Sequence, residues 1–149
     1  MNCRHTDFQY HHPATNFLVY GAIDDVWQNS NGQLHIVDYK ATSKADELNI
    51  DAEWQTTWKR QMEIYQWLFR QNGFDVSETG YFVYCNASKD RDGLNGRLDF
   101  DLVIFPYKGD SGWVDDKLIE AHKCLSSGTP PESGRGCELC AYTSAIQTL

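Results

Sequence analysis

Helices packed on a mixed β-sheet, an α/β or α+β domain, is the fold class the sequence predicts. Three observations carry it. Strand-like and helix-like segments follow one another in the order strands, helix, strands, helix. Turn residues punctuate them at Asn29-Ser30-Asn31-Gly32 and Asn72-Gly73. The chain is 149 residues long, 41% apolar and 13% aromatic, the size of one domain and enough to bury a core.

Residues 6–12 read as a short strand. Residues 16–27 are apolar and β-rich, and 34–40 resume that character beyond the Asn/Gly turn, so the two read as a hairpin. A helix follows, with Asp51 as its expected N-cap. Trp54, Trp58, Met62, Tyr65, Leu68 and Phe69 lie on one face, turned to the sheet, and Asn72-Gly73 is the stop. Residues 79–87 form a strand and 89–96 a polar turn. Residues 97–107 alternate through Leu98, Phe100, Leu102 and Ile104, as a strand with one wet face does. The last helix spans 111–127, with Trp113, Leu118, Ala121 and Leu125 inward. A Ser/Gly/Pro-rich stretch over 126–136 then divides a body, residues 1–128, from a tail, residues 129–149.

Composition excludes several classes. The aromatic content argues against a disordered chain. No apolar run approaches the roughly 20 residues of a membrane span. Residues 1–12 hold no apolar core for a secretory signal, which predicts an intracellular, cytoplasmic protein. Thirteen Lys and Arg against 21 Asp and Glu give a net charge of −8, unlike a protein that coats nucleic acid through general basicity. The same acidity does not exclude a site where clustered carboxylates hold a cation.

The chemistry concentrates in Gly21-Ala22-Ile23-Asp24 and Ile36-Val37-Asp38-Tyr39-Lys40. Asp24 and Asp38 each lie seven residues from Asn31, so the hairpin sets them roughly opposite one another. Residues i and i+2 of a strand share a face, so Lys40 points the same way as Asp38. Two close carboxylates favour a proton or a divalent cation. Hard Mg²⁺ takes carboxylate and carbonyl oxygen, which Asp24, Asp38 and the Tyr39 backbone carbonyl can offer. A neighbouring lysine orients water, stabilises charge or accepts a proton, a design for metal-assisted phosphodiester hydrolysis. Gln61 and Tyr65 follow, four apart on one helix face. A second acid–lysine triplet, Asp115-Asp116-Lys117, sits in the first turn of a predicted helix, where acids favour the helix dipole; it receives no catalytic role.

The run from Gly21 to Tyr65 resembles the PD-(D/E)xK nuclease superfamily, in particular its RecB-like branch, which includes Cas4-like proteins and the AddB nuclease domain. There Gly-x-Ile-Asp precedes a strand ending Val-Asp-Tyr-Lys and a helix with Gln-x-x-x-Tyr. The resemblance implies a restriction-endonuclease-like mixed sheet flanked by helices and Mg²⁺- or Mn²⁺-dependent DNA cleavage. It implies Asp24 and Asp38 as metal ligands, Lys40 as the catalytic lysine, and Gln61 and Tyr65 as residues that support the site or touch the DNA backbone. The family's usual N-terminal helical region has only some twenty residues in which to fit before Gly21. His5, His11 and His12 lie there, and none is taken as a ligand.

The tail carries Cys137-Glu138-Leu139-Cys140, a spacing that suits Zn²⁺ or an iron–sulfur cluster. In many Cas4- and AddB-like proteins one upstream Cys and three tail Cys hold a [4Fe–4S] cluster. Cys137 and Cys140 match the first tail pair. Residues 143–149 hold no third Cys; Cys3 is a candidate for the upstream ligand, and Cys124 a candidate substitute. Cys85 reads as a small core residue. The functional expectation is a metal-dependent deoxyribonuclease, exonuclease-like, in recombination, repair, CRISPR or phage DNA processing. The alternatives are a non-catalytic module of the same fold that binds DNA or a partner protein, and a small thiol or metal-binding protein. DNA contacts fall to Lys44, Lys59 and Arg60, with Arg70 nearby and Lys89 and Arg91 as a second patch. The acidic remainder predicts weak binding alone and help from a helicase or another subunit.

Overall fold

The computed structural model describes residues 8–43, 48–52, 55–88, 96 and 99–146. The expected turn over 89–96 falls almost wholly outside them, as do Cys3, His5, Lys44, Trp54, Lys89 and Arg91. The fold is a mixed α/β layer structure with two sheets. Strands β1 (Phe8–His12) and β2 (Phe17–Gly21) pair antiparallel as a small ribbon, Phe8 opposite Gly21 and His12 opposite Phe17. Asn16 closes their turn at φ 60°, a left-handed conformation that Asn tolerates.

The larger sheet has the order β3-β4-β5-β6: β3 (Asp25–Gln28), β4 (Leu34–Thr42), β5 (Thr79–Ala87) and β6 (Phe100–Lys108). β3 and β4 form the expected hairpin, from Asp25↔Val37 to Gln28↔Leu34. Its turn is held by the Asn29 side chain, which accepts the N–H groups of Asn31 and Gln33 at 3.0 Å each, with Gly32 at φ 84°. β4 and β5 are parallel, so helix α1 (Thr56–Gln71) is the crossover between them; β6 returns antiparallel to β5. No described helix is long and apolar enough to cross a membrane.

α1 is buried on two sides. Met62 and Phe69 enter the main core with Ile36, Val76, Phe82 and Tyr84, and Trp58 and Tyr65 pack against its edge. Gly80 is required there, because a Cβ would lie 2.4 Å from the Met62 sulfur. On its other side, Trp67 and Leu68 meet Val114, with Tyr10, Val19 and Leu118 around them. The Trp67 indole donates to Asp115 at 3.0 Å, and Asp115 also faces the buried His12 ring at 3.3 Å. Glu63 is a buried polar joint. Only 8% exposed, it accepts from the Tyr107 hydroxyl at 2.6 Å, the Trp113 indole at 2.7 Å and the Asp110 amide at 3.3 Å. It thereby ties α1 to β6 and to the entry of helix α2 (Val114–Ser126).

Several sequence expectations change. The strand expected over 16–27 is two strands in different sheets. Gly21 is the pivot: the Tyr65 ring fills the space where its Cβ would stand, 2.6 Å away. α1 begins at Thr56, not at an Asp51 cap. Gln55 organises that end, accepting the Ala52 amide and donating to the Asn49 carbonyl and the Tyr84 hydroxyl, while Asp51 pairs with Lys59. Leu68 faces α2 rather than the sheet. In β6 the residues toward the core are Phe105 and Tyr107, and Phe100, Leu102 and Ile104 are exposed, because both alternating sets are apolar. Leu125 and Ala121 of α2 lie outward. The tail, expected as linker and Cys pair, forms helix α3 (Glu138–Ile146), which buries none of its residues.

Replacing Glu63 by Ala strands the Tyr107 hydroxyl and the Trp113 and Asp110 N–H groups. The loss should be about 3 kcal/mol or more, at roughly 1–3 kcal/mol per unsatisfied buried group. Glu63→Gln, which keeps an acceptor, should lose less. Urea denaturation monitored by tryptophan fluorescence checks the order.

Candidate metal-dependent hydrolytic site

Alternation along β4 aims Ile36, Asp38 and Lys40 at α1. Ile36 enters the core, Asp38 stops at its edge with 5% of its surface exposed, and Lys40 lies at the rim. The Lys40 ammonium contacts Asp38 Oδ2 at 2.5 Å, lies 5.1 Å from the centre of the Trp58 ring, and reaches Gln61 Oε1 at 3.4 Å. Gln61 donates in turn to the Tyr65 hydroxyl at 3.1 Å. One file of polar groups therefore runs Asp38, Lys40, Gln61, Tyr65, from strand to helix. The closeness of Gly21 to the Tyr65 ring fixes its far end.

Asp24 stands just before β3, where continuing the hairpin register sets it opposite Asp38. Its Oδ2 accepts the Tyr39 amide at 2.9 Å. A strand residue directs its N–H and C=O to the same neighbour, so the Tyr39 carbonyl also faces the β3 side, where Asp24 lies. Asp25 binds elsewhere, taking the Tyr39 hydroxyl at 2.8 Å and the Trp27 indole at 3.2 Å. Burial raises the Asp38 carboxyl above its ordinary pKa. Lys40 opposes that shift, and the charge of Asp24 adds to it. Asp38 Oδ2 is sealed from solvent with Lys40 as an ion-pair contact, yet it receives no well-directed hydrogen bond.

This donor set fits a hard divalent cation. Mg²⁺ uses one or two carboxylates and keeps several waters. Asp24 and Asp38 are such a pair, and Asp38 Oδ2 is under-satisfied. Among the described residues no group of three or more His, Cys, Asp or Glu gathers, so carbonyl oxygen and water would complete the shell.

A family model for the PD-(D/E)XK nuclease superfamily matches residues 3–145. The chain belongs to that superfamily. The mixed four-stranded sheet flanked by helices is the architecture expected of it. Nuclease activity and use of Mg²⁺ or Mn²⁺ are usual among its members. A solved structure, the crystal structure of SSO0001, is 21% identical with a TM-score of 0.47. The match covers 93% of this chain and 56% of that one, so this chain spans little more than half of that protein's length. No curated protein matches the chain.

Asp24, Asp38, Lys40, Gln61 and Tyr65 are thus brought together, and other candidates are not. Lys59 and Arg60 point away from Gln61, on the side of α1 that turns to β6 and α2. Lys44 lies outside the described residues. Arg70 is spent on the Ser111 hydroxyl and the Val76 and Ser77 carbonyls. Cys137 and Cys140 sit at the start of α3, where the Cys140 amide approaches Cys137 Sγ at 3.5 Å. That amide, then the Cys140 thiol, hold the Cys137 thiol below its usual pKa. Cys124 is exposed, and Cys85 is partly buried in β5. Sequence reasoning missed Trp58 as the aromatic face beneath Lys40. Its spacing of three from Gln61 was the available signal.

The raised Asp38 pKa sets the sign of a pH effect. The folded carboxyl keeps its proton to higher pH than the unfolded one. Its contribution to stability is complete below the unfolded value near 3.9 and is lost as pH rises through the folded value. Thermal melting in EDTA should show this loss in the wild type, and Asp38→Asn should flatten it.

Proposed function

We propose that the protein is a divalent-metal-dependent deoxyribonuclease of the RecB-like, Cas4-like branch, exonuclease-like in action. The observation that carries this is the Asp38–Lys40–Gln61–Tyr65 file with Asp24 opposite it on the same hairpin. Asp24, Asp38 and the Tyr39 carbonyl would hold Mg²⁺ or Mn²⁺. When bound there, the ion would supply Lewis acidity toward a phosphoryl oxygen and lower the pKa of a water.

The chain's own groups do the rest. Asp38 fixes the Lys40 ammonium by charge, and Trp58 and Gln61 confine it from the helix side. Held there, Lys40 orients the attacking water and balances negative charge growing on the phosphate. Tyr65 locks the Gln61 amide, which leaves its carbonyl oxygen toward Lys40. The DNA backbone approaches over the open Asp24 side, since Asp24 is exposed while Asp38 is not. Net acidity outside the site agrees with a nuclease that works inside the cell with a helicase or another subunit. Cys137 and Cys140 would give such a complex a [4Fe–4S] or zinc site only with ligands beyond this pair.

The test is cleavage of end-labelled linear DNA, single- and double-stranded. Turnover should require Mg²⁺ or Mn²⁺, and Ca²⁺ should bind without supporting it. Asp24→Asn and Asp38→Asn should abolish activity by weakening metal binding. Lys40→Ala should leave metal binding largely intact and reduce turnover by about 100- to 10,000-fold. Cys137→Ser should leave the chemistry in place. Equal rates for wild type and Lys40→Ala would falsify the catalytic reading and favour a non-catalytic module of the same fold.

A further inference from the structure

The side of α1 turned away from Asp38 carries a second concavity of about 580 Å³. Lys59, Arg60, Lys117, Tyr107 and Trp113 line it, over Glu63. The chain has a net charge of −8, yet three of its eight described Lys and Arg residues meet here. α1 itself separates them from the metal-site cluster.

The charges are arranged for an external anion. Glu63 lies next to these cations on the same helix but does not neutralise them. Its carboxylate is buried and takes the Tyr107 hydroxyl, the Trp113 indole N–H and the Asp110 amide instead. Burial and that carboxylate push the Tyr107 phenol far up, so it remains a neutral donor at any working pH. Among the described residues Lys59 and Lys117 meet only exposed carboxylates as counter-ions, Asp51 at 3.2 Å and Glu120 at 2.6 Å, and exposed pairs of this kind exchange cheaply. Among the described residues Arg60 has no partner.

The same carboxylate holds two aromatic side chains by their polar edges. Their positions are therefore set before anything binds, and binding need not pay to order these two side chains. Rigid aromatic side chains beside clustered cations are the usual means of holding an unpaired strand: the base meets the aromatic wall and the phosphate meets the cations. A duplex hides its base faces and can use only the cations.

We propose that this concavity binds a nucleotide unit of single-stranded DNA, with its phosphate among Lys59, Arg60 and Lys117 and its base against Trp113, beside the Tyr107 ring, whose centre lies 5.6 Å from the Lys59 ammonium. The identity of the strand as DNA rests on the nuclease reading; the base-plus-phosphate recognition does not. The site would anchor an unpaired segment on the face of α1 opposite the scissile bond.

The experiment measures binding of a fluorescein-labelled oligodeoxythymidylate in EDTA, where no cleavage occurs, across a salt series. Arg60→Ala and Lys117→Ala replace exposed side chains and should fold. Each should weaken binding at least fivefold and lower the slope of log affinity against log salt by about 0.7, the value for one lost single-strand phosphate contact. Trp113→Phe should weaken binding with the slope unchanged. Lys123→Ala, outside the concavity, should match the wild type. Thymidine monophosphate should compete better than inorganic phosphate, and the single strand should bind more tightly than a duplex of equal length. Unchanged affinity and slope in both cation variants overturn the proposal, as does competition by phosphate equal to that by the nucleotide, or equal affinity for duplex. If no metal supports cleavage but the cation variants still lose binding, the nuclease reading fails and this one stands. If cleavage occurs and the cation variants bind normally, the reverse holds.

Discussion

The placement of Asp38 is the constraint on which the rest depends. A carboxylate at the edge of an apolar core costs free energy unless a positive charge meets it. Lys40, two residues along the same strand face, supplies one, and Trp58, Gln61 and Tyr65 keep that ammonium from leaving. Asp24 adds a second negative charge across the hairpin, so the pair of carboxylates still carries more charge than one lysine offsets. The fold keeps the site short of positive charge and leaves Asp24 open to solvent. A site of that charge and openness suits a divalent cation.

α1 makes this possible by serving two cores. Its sheet side brings Gln61 and Tyr65 over β4, and its other side meets β1, β2 and α2. Glu63 locks the helix against β6 and α2 with hydrogen bonds from residues 44 to 50 positions away. Rotation of α1 about its axis would break that joint and the polar file together. Positions of catalytic side chains within fractions of an ångström need this kind of support. Gly21 and Gly80 contribute by absence, admitting Tyr65 and Met62 where any side chain would exclude them.

Much of the candidate site's geometry was legible because it is local. Period-two alternation places Asp38 with Lys40, the Asn/Gly turn sets Asp24 opposite, and a spacing of four joins Gln61 to Tyr65. The strands over 34–40 and 79–87 and the stop at Asn72-Gly73 were readable for similar reasons. What failed depended on distant partners. Glu63 looks like a solvated helix residue until Tyr107 and Trp113 arrive. The face of β6 was misjudged because Leu102, Ile104, Phe105 and Tyr107 make both phases apolar. The break at Gly21 needs a ring from α1 to explain it, and the start of α1 needs Gln55 to find Tyr84. The tail helix, Glu138–Ile146, follows a Gly/Pro linker and buries no residue, so the sequence carries no amphipathic signal for it.

Mn²⁺ binding, followed by titration calorimetry with electron paramagnetic resonance of the free ion, tests the central claim most directly. The account predicts one ion per chain and loss of the site in Asp38→Asn and in Asp24→Asn. Lys40→Ala should still bind the ion. Absence of Mn²⁺ binding to the folded wild type, or binding of equal affinity in Asp38→Asn, would contradict it.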